Sequence, residues 1–186
     1  VSPGRRTLMR ATAAALGLSS VWGLSACDQI SDMSKPKAGL AFHGVDISGA
    51  TYARQLRLKD FDGRMRDLAE FKGKVVFVFF GFTQCPDVCP TTMIELAELR
   101  RRLGPHGDKV QGVFVSVDPE RDTPEVLKAY RQGIDPSFVG LTGSPQEIEA
   151  VSRQFKVFYQ KVATPSGGYT IDRTAGSYVF VQKGQI

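Results

Sequence analysis

Val75-Val76-Phe77-Val78-Phe79-Phe80 is a run of six residues with no polar side chain, rich in β-branched and aromatic types and free of the alternation that marks a half-exposed strand. A strand buried on both faces belongs inside an α/β sheet. The helical stretch that follows places Met93, Leu96, Ala97, Leu99 and Leu103 along one side, and a second apolar strand, Val113 to Val117, comes after it. Strand, helix, strand implies a parallel crossover, expected to be right-handed. Thr123-Pro124-Glu125 and Ser144-Pro145-Gln146-Glu147 each combine a hydroxyl cap, a first-position proline and an early acid, so two further helices are expected there. Upstream, Gln55 to Lys74 reads as a hairpin turning at Asp62-Gly63 and laid against the domain. After Phe155 the β-like pieces are Val157 to Val162 and Tyr178 to Val181, with a Pro165-Ser166-Gly167-Gly168 loop between them. The expected fold is one α/β domain with a small mixed sheet over residues 42–186.

Charge separates this domain from what precedes it. Three of the 24 basic side chains, Arg5, Arg6 and Arg10, lie in residues 1–26, which contain no acid, so the remainder carries 21 basic against 19 acidic groups. Those are interspersed, with Arg100-Arg101-Arg102 the only basic run, which argues against a nucleic-acid partner. Residues 1–26 have the charged start and short apolar stretch of an export signal, too short to span a bilayer comfortably. The paired arginines resemble a twin-arginine signal, and Leu24-Ser25-Ala26-Cys27 resembles a bacterial lipobox that would make Cys27 the lipidated first residue. A single acyl chain binds membranes only marginally, so the two or three chains of a lipoprotein are implied. Residues 27–41 read as a solvated tether, and the domain is expected outside the cytoplasm, membrane-anchored by lipid. Ile186 closes an apolar run resembling the start of a hairpin, which suggests a fragment truncated at its C-terminus.

The other two cysteines, Cys85 and Cys89, follow the central strand in Gly81-Phe82-Thr83-Gln84-Cys85-Pro86-Asp87-Val88-Cys89-Pro90. Beyond the carboxyl end of such a strand, a helix N-terminus offers free N–H groups and partial positive charge, which lower a thiol pKa. Residues four apart stand about one helical turn from each other, close enough for a disulfide or for shared ligation of one soft ion. A purely structural bridge closing so short a loop would stabilise weakly. Zinc is disfavoured, since only His43 and His106 could complete a tetrahedral set.

Phe79-Phe80-Gly81-Phe82-Thr83 with the Cys85 to Pro90 segment, then Val117-Asp118-Pro119-Glu120-Arg121-Asp122-Thr123-Pro124, and the Asp172 region before a final strand, resemble the SCO/SenC family of copper-handling proteins in cytochrome c oxidase assembly. The resemblance runs from about residue 42 to the end. It implies a thioredoxin-like fold, copper held by Cys85 and Cys89 together with a later histidine, and as partners the copper-bearing subunit of the oxidase or other copper chaperones. Some members are credited with thiol-disulfide activity.

The family's histidine belongs in a Tyr-x-x-Asp-His-Thr segment, and the matching stretch here is Tyr169-Thr170-Ile171-Asp172-Arg173-Thr174. Arg173 has no lone pair to offer a metal, so Cu(I) on two thiolates is expected in preference to Cu(II), and the guanidinium would favour thiolate. His106 is separated from the cysteines by a helix about 20 Å long. Asp87, Asp118 and Asp122 are possible accessory groups, although turn and capping chemistry accounts for Asp118 and Asp122. Phe80 and Phe82 are expected in the core. Two functions stay open: a copper-binding assembly factor, and an extracytoplasmic thiol-disulfide oxidoreductase in which one cysteine attacks and the other resolves.

Overall fold

The computed structural model describes residues 44–182, of which Asp46 onward belong to one compact unit. The segments expected to be an export signal, a lipobox at Cys27 and a tether, together with His43, lie outside the described residues.

Among the described residues, eight strands and three α-helices succeed one another as β1 (Arg57–Asp60), β2 (Met65–Asp67), β3 (Val75–Gly81), α1 (Val88–Arg102), β4 (Val110–Ser116), α2 (Pro124–Ile134), β5 (Val139–Thr142), α3 (Pro145–Gln154), β6 (Tyr159–Ala163), β7 (Tyr169–Arg173) and β8 (Ser177–Phe180). Six strands form one mixed sheet in the order β2-β1-β5-β4-β3-β8, and β6 and β7 form a separate two-stranded sheet. β3 runs parallel to β4, with Val78 opposite Val113, and β4 runs parallel to β5. β8 lies antiparallel on the other side of β3, with Tyr178 opposite Val78.

The uninterrupted apolar run of β3 now has its cause. Alternate side chains enter two different cores. Phe79 meets Phe114, whose ring stands 5.1 Å from Tyr130 of α2, while Phe80 points the other way onto Phe155, the residue that ends α3, at 5.1 Å between ring centres. Phe155 in turn packs edge-on against Tyr178. The helix starts are as expected: Thr123 caps α2, and Ser144 forms a reciprocal capping box with Glu147 at the head of α3.

Several expectations need correction. The hairpin of β1 and β2 is part of the main sheet, because β1 pairs antiparallel with β5 through Lys59 and Asp60. Its turn does fall at Asp62-Gly63, with Gly63 at φ +77°, where a side chain would be strained. Leu99 and Leu103 are exposed, since a step of about 100° per residue carries Leu99 roughly 120° around the helix from buried Met93. Arg100 fills the inward position instead, donating to Gly107 O and pairing with Asp135. β4 begins three residues before the expected Val113, β6 begins at Tyr159 rather than Val157, and the last strand is shifted by one residue. Neither β5 nor β7 was expected as a strand.

Candidate functional site

β3 ends at Gly81, and the chain turns through Phe82 to Cys85, whose amide donates to Phe82 O, before α1 begins. Cys89 lies in the first turn of α1, and Cys85 just ahead of it. A Cβ on Gly81 would stand 2.7 Å from the Phe114 ring and 3.0 Å from Cys89 Sγ, so the bare glycine backbone is what lets the second thiol settle against the sheet. Asp122 fastens the turn from the other side. Its carboxylate accepts from the Thr83 amide (3.0 Å), the Thr83 hydroxyl (2.6 Å) and the Ser116 hydroxyl (2.6 Å), joining the end of β4 to the loop that bears Cys85. Burial pushes the Asp122 carboxyl up, against those three bonds.

The two thiols are unbridged, and Cys85 is half-buried while Cys89 is fully buried. Their environments pull in opposite directions. Burial raises the Cys85 thiol, but the Cys89 amide, the Cys89 thiol, the Asp87 amide and the Arg173 guanidinium together outweigh it and hold Cys85 below the ordinary thiol value. For Cys89 burial wins: the thiol is pushed up to about 11, with the Phe82 amide and the Arg173 charge opposing and the Cys85 thiol adding to the rise. The expected lowering at a helix start therefore holds for Cys85 and fails for Cys89, because desolvation of the buried sulfur exceeds what the neighbouring donors return.

Arg173, on β7, faces the pair. Its Nη2 donates to Cys89 Sγ at 2.8 Å, and its Cζ stands 4.8 Å from the centre of the Phe79 ring. β7 is held over the site by a cluster that sequence reading missed. The Tyr169 hydroxyl donates to Asp118 at 2.8 Å, Arg121 Nη1 donates to Tyr169 O at 2.8 Å, and Arg121 also pairs with Asp118 while its guanidinium stacks 3.8 Å from the Tyr169 ring centre. Asp118 is wholly buried, so Arg121 supplies the charge that its carboxylate needs. An acid just past the end of an apolar strand was the available signal, but its partner Tyr169 lies 51 residues away.

The remaining candidates fall as follows. Asp87 is exposed at the start of α1; its carboxylate accepts from the Thr91 hydroxyl, and its backbone amide, not its side chain, addresses Cys85. The carboxylates of Asp118 and Asp122 are occupied by Arg121 and Tyr169 and by Thr83 and Ser116, so the capping role expected for Asp122 belongs to Thr123 alone. Among the described residues no three His, Cys, Asp or Glu side chains gather into a metal-binding group. His106 is exposed in the short turn beyond the far end of α1. Phe80 and Phe82 are core residues. Chemically, the site offers two adjacent sulfur donors, one accessible and one enclosed, and one fixed positive charge.

The family model described as SCO1/SenC matches residues 46–186. A "SCO2-like protein" of Rickettsia felis is 38% identical over 156 residues, covering 81% of this chain and 74% of its own length. Among solved structures, ScoI of Bradyrhizobium japonicum with copper bound is 42% identical with a TM-score of 0.66, covering 76% of this chain and 87% of that one. BsSco, described as carrying a disulfide switch and as a member of the Sco family of cytochrome c oxidase assembly proteins, is 26% identical with a TM-score of 0.56, over 76% of this chain and 83% of that one. Sheet order, the placement of the cysteine loop and these matches converge: the mixed α/β domain is thioredoxin-like, and the chain belongs to the SCO1/SenC family.

Proposed function

We propose that this chain is a copper-binding assembly factor for cytochrome c oxidase that takes Cu(I) as cargo between Cys85 and Cys89. The observation that carries the reading is the pair of unbridged thiols flanking the start of α1, Cys85 half-buried just ahead of it and Cys89 enclosed in its first turn. Two sulfur donors suit a soft monovalent ion, whereas Cu(II) prefers an imidazole or carboxylate that the described residues do not bring to the pair. The half-buried, more accessible thiol of Cys85 meets incoming metal first and the enclosed Cys89 completes the grip; delivery reverses that order by ligand exchange at Cys85. The copper-bound relative and the assembly role attributed to BsSco support cargo and destination alike. The oxidase's copper-bearing subunit and other copper chaperones are the proposed partners. The export signal and Cys27 support an extracytoplasmic, lipid-anchored location, and no described helix is long and apolar enough to cross a membrane.

The test is Cu(I) titration of the reduced chain under anaerobic conditions, with sulfur coordination read by X-ray absorption. One equivalent bound through sulfur alone is expected, lost in Cys85→Ser and in Cys89→Ser. Binding that survives both substitutions would remove the reading. For the anchor, intact-mass analysis of membrane-expressed protein should find acylation that Cys27→Ser abolishes.

The asymmetry of the two thiols favours a second reading, thiol-disulfide exchange. The Cys85 thiolate would attack a substrate disulfide, releasing one substrate thiol and leaving a mixed disulfide; Cys89 would then displace the second thiol, so that the substrate gains two electrons and the pair becomes a disulfide. A dithiol reductant must restore it. Catalytic reduction of a model disulfide by metal-free protein, lost in Cys85→Ser, decides for this activity.

A further inference from the structure

Arg173 is no ligand for a copper ion held by two sulfurs, yet its placement is specific. Nη2 donates to Cys89 Sγ at 2.8 Å, Nη1 donates to Thr174 O at 3.3 Å, and Nε is buried with no hydrogen-bond partner. Among the described residues Arg173 pairs with no carboxylate. A guanidinium keeps its proton in proteins, so this is a permanent positive charge with an incompletely satisfied hydrogen-bond fork, held against an aromatic ring. Enclosing such a charge is unfavourable unless a negative charge answers it, and the sulfurs are the groups that can supply one.

We infer that Arg173 is the counter-charge of the loaded site and thereby the residue that makes it select a monovalent cation. This rests on the reading that Cys85 and Cys89 hold Cu(I). Two thiolates with one monovalent ion carry a net charge of −1, which the guanidinium cancels. With a divalent ion the same thiolates are already neutral, and Arg173 leaves a net charge of +1 beside the enclosed Cys89. Size and softness favour Cu(I) at any dithiolate; the guanidinium adds a preference based on charge alone. Unit charges about 4 Å apart at an effective dielectric near 20 interact strongly enough to change affinity on the order of 1000-fold. Solvent at half-buried Cys85 reduces this, so a contribution of about 10- to 100-fold is expected.

The experiment measures Cu(I) and Zn(II) affinities of the reduced chain by competition against chromophoric chelators, for the natural sequence, Arg173→Lys, Arg173→Met and Arg173→Gln. Thermal denaturation establishes which variants are folded, and the Met and Gln forms serve as replicates of charge removal. The ratio of Cu(I) to Zn(II) affinity is expected to fall about 10- to 100-fold in the neutral variants and to be retained in Arg173→Lys, with the difference shrinking at high salt. A ratio unchanged in Met and Gln forms overturns the inference. So does a Lys form that loses as much as they do, since shape rather than charge would then matter. The Cys85→Ser/Cys89→Ser double variant separates the two levels: if it binds Cu(I) like the natural chain, the copper reading falls and takes this inference with it, whereas dependence on the thiols with an unchanged ratio removes the role of Arg173 alone.

Discussion

Cys85 and Cys89 hang from a six-stranded sheet with apolar packing on both faces, whereas Arg173 hangs from a two-stranded ribbon in which, of ten strand residues, only Ile171 is buried. The sheet side is positioned by Phe79, Phe80, Phe114 and the missing side chain of Gly81. The ribbon is positioned largely by polar contacts, Tyr169 and Arg121 to Asp118 and Lys161 to Glu120. Donor atoms and counter-charge thus come from pieces fixed by different forces, so each can be disturbed with the other left in place.

The strongest expected contrast lies between the two thiols. With Cys89 pushed up to about 11 and Cys85 held below the ordinary value, alkylation of metal-free protein at pH 8 should strike Cys85 more than about 100-fold faster. Mass spectrometry of the labelled peptides over pH 6 to 11 measures it, and comparable rates at pH 8 would erase the asymmetry. The raised value also carries a sign for stability: the enclosed Cys89 thiol stabilises the fold below the unfolded thiol pKa of about 8.5, and that contribution is lost as pH climbs toward 11.

Next comes the ribbon's attachment. Asp118→Ala leaves Arg121, which is one-fifth exposed, without its partner and removes the acceptor for Tyr169, at a cost of about 2 to 3 kcal/mol in urea unfolding. Gly81→Ala attacks the sheet side. Its added methyl group must displace the Phe114 ring or the Cys89 sulfur, so a loss of about 2 kcal/mol is expected, together with a changed Cys89 alkylation profile. If Gly81→Ala altered only the ribbon, the division drawn between the two pieces would be wrong. The smallest effect is Arg173→Met in metal-free protein. It forfeits the stacking on Phe79, worth under about 1 kcal/mol, and the melting temperature should move little.

What the sequence revealed follows the same division. β3 was legible because burial on both faces removes every polar residue, and α2 and α3 because Thr123 and Ser144 announce their starts locally. β5 was hidden by its brevity and by Gly140, a glycine that packs beneath Leu127. β7 was hidden because Tyr169-Thr170-Ile171-Asp172-Arg173 buries one side chain and so shows no apolar pattern. The cysteine pair could be read from its spacing, but the opposite behaviour of its members depends on how deeply α1 seats Cys89 against Gly81. Asp122 reaches Thr83 across 39 residues and Arg173 reaches Cys89 across 84, separations that no local pattern encodes.

A two-stranded hairpin standing alone is marginal in water. The order of β6 and β7 therefore leans on Asp118, Arg121 and the residues around them, and the ribbon is expected to open locally at a lower free energy than global unfolding. Amide hydrogen exchange in Tyr169–Arg173 should then be faster than in Val75–Gly81, and it would time how often the guanidinium leaves Cys89.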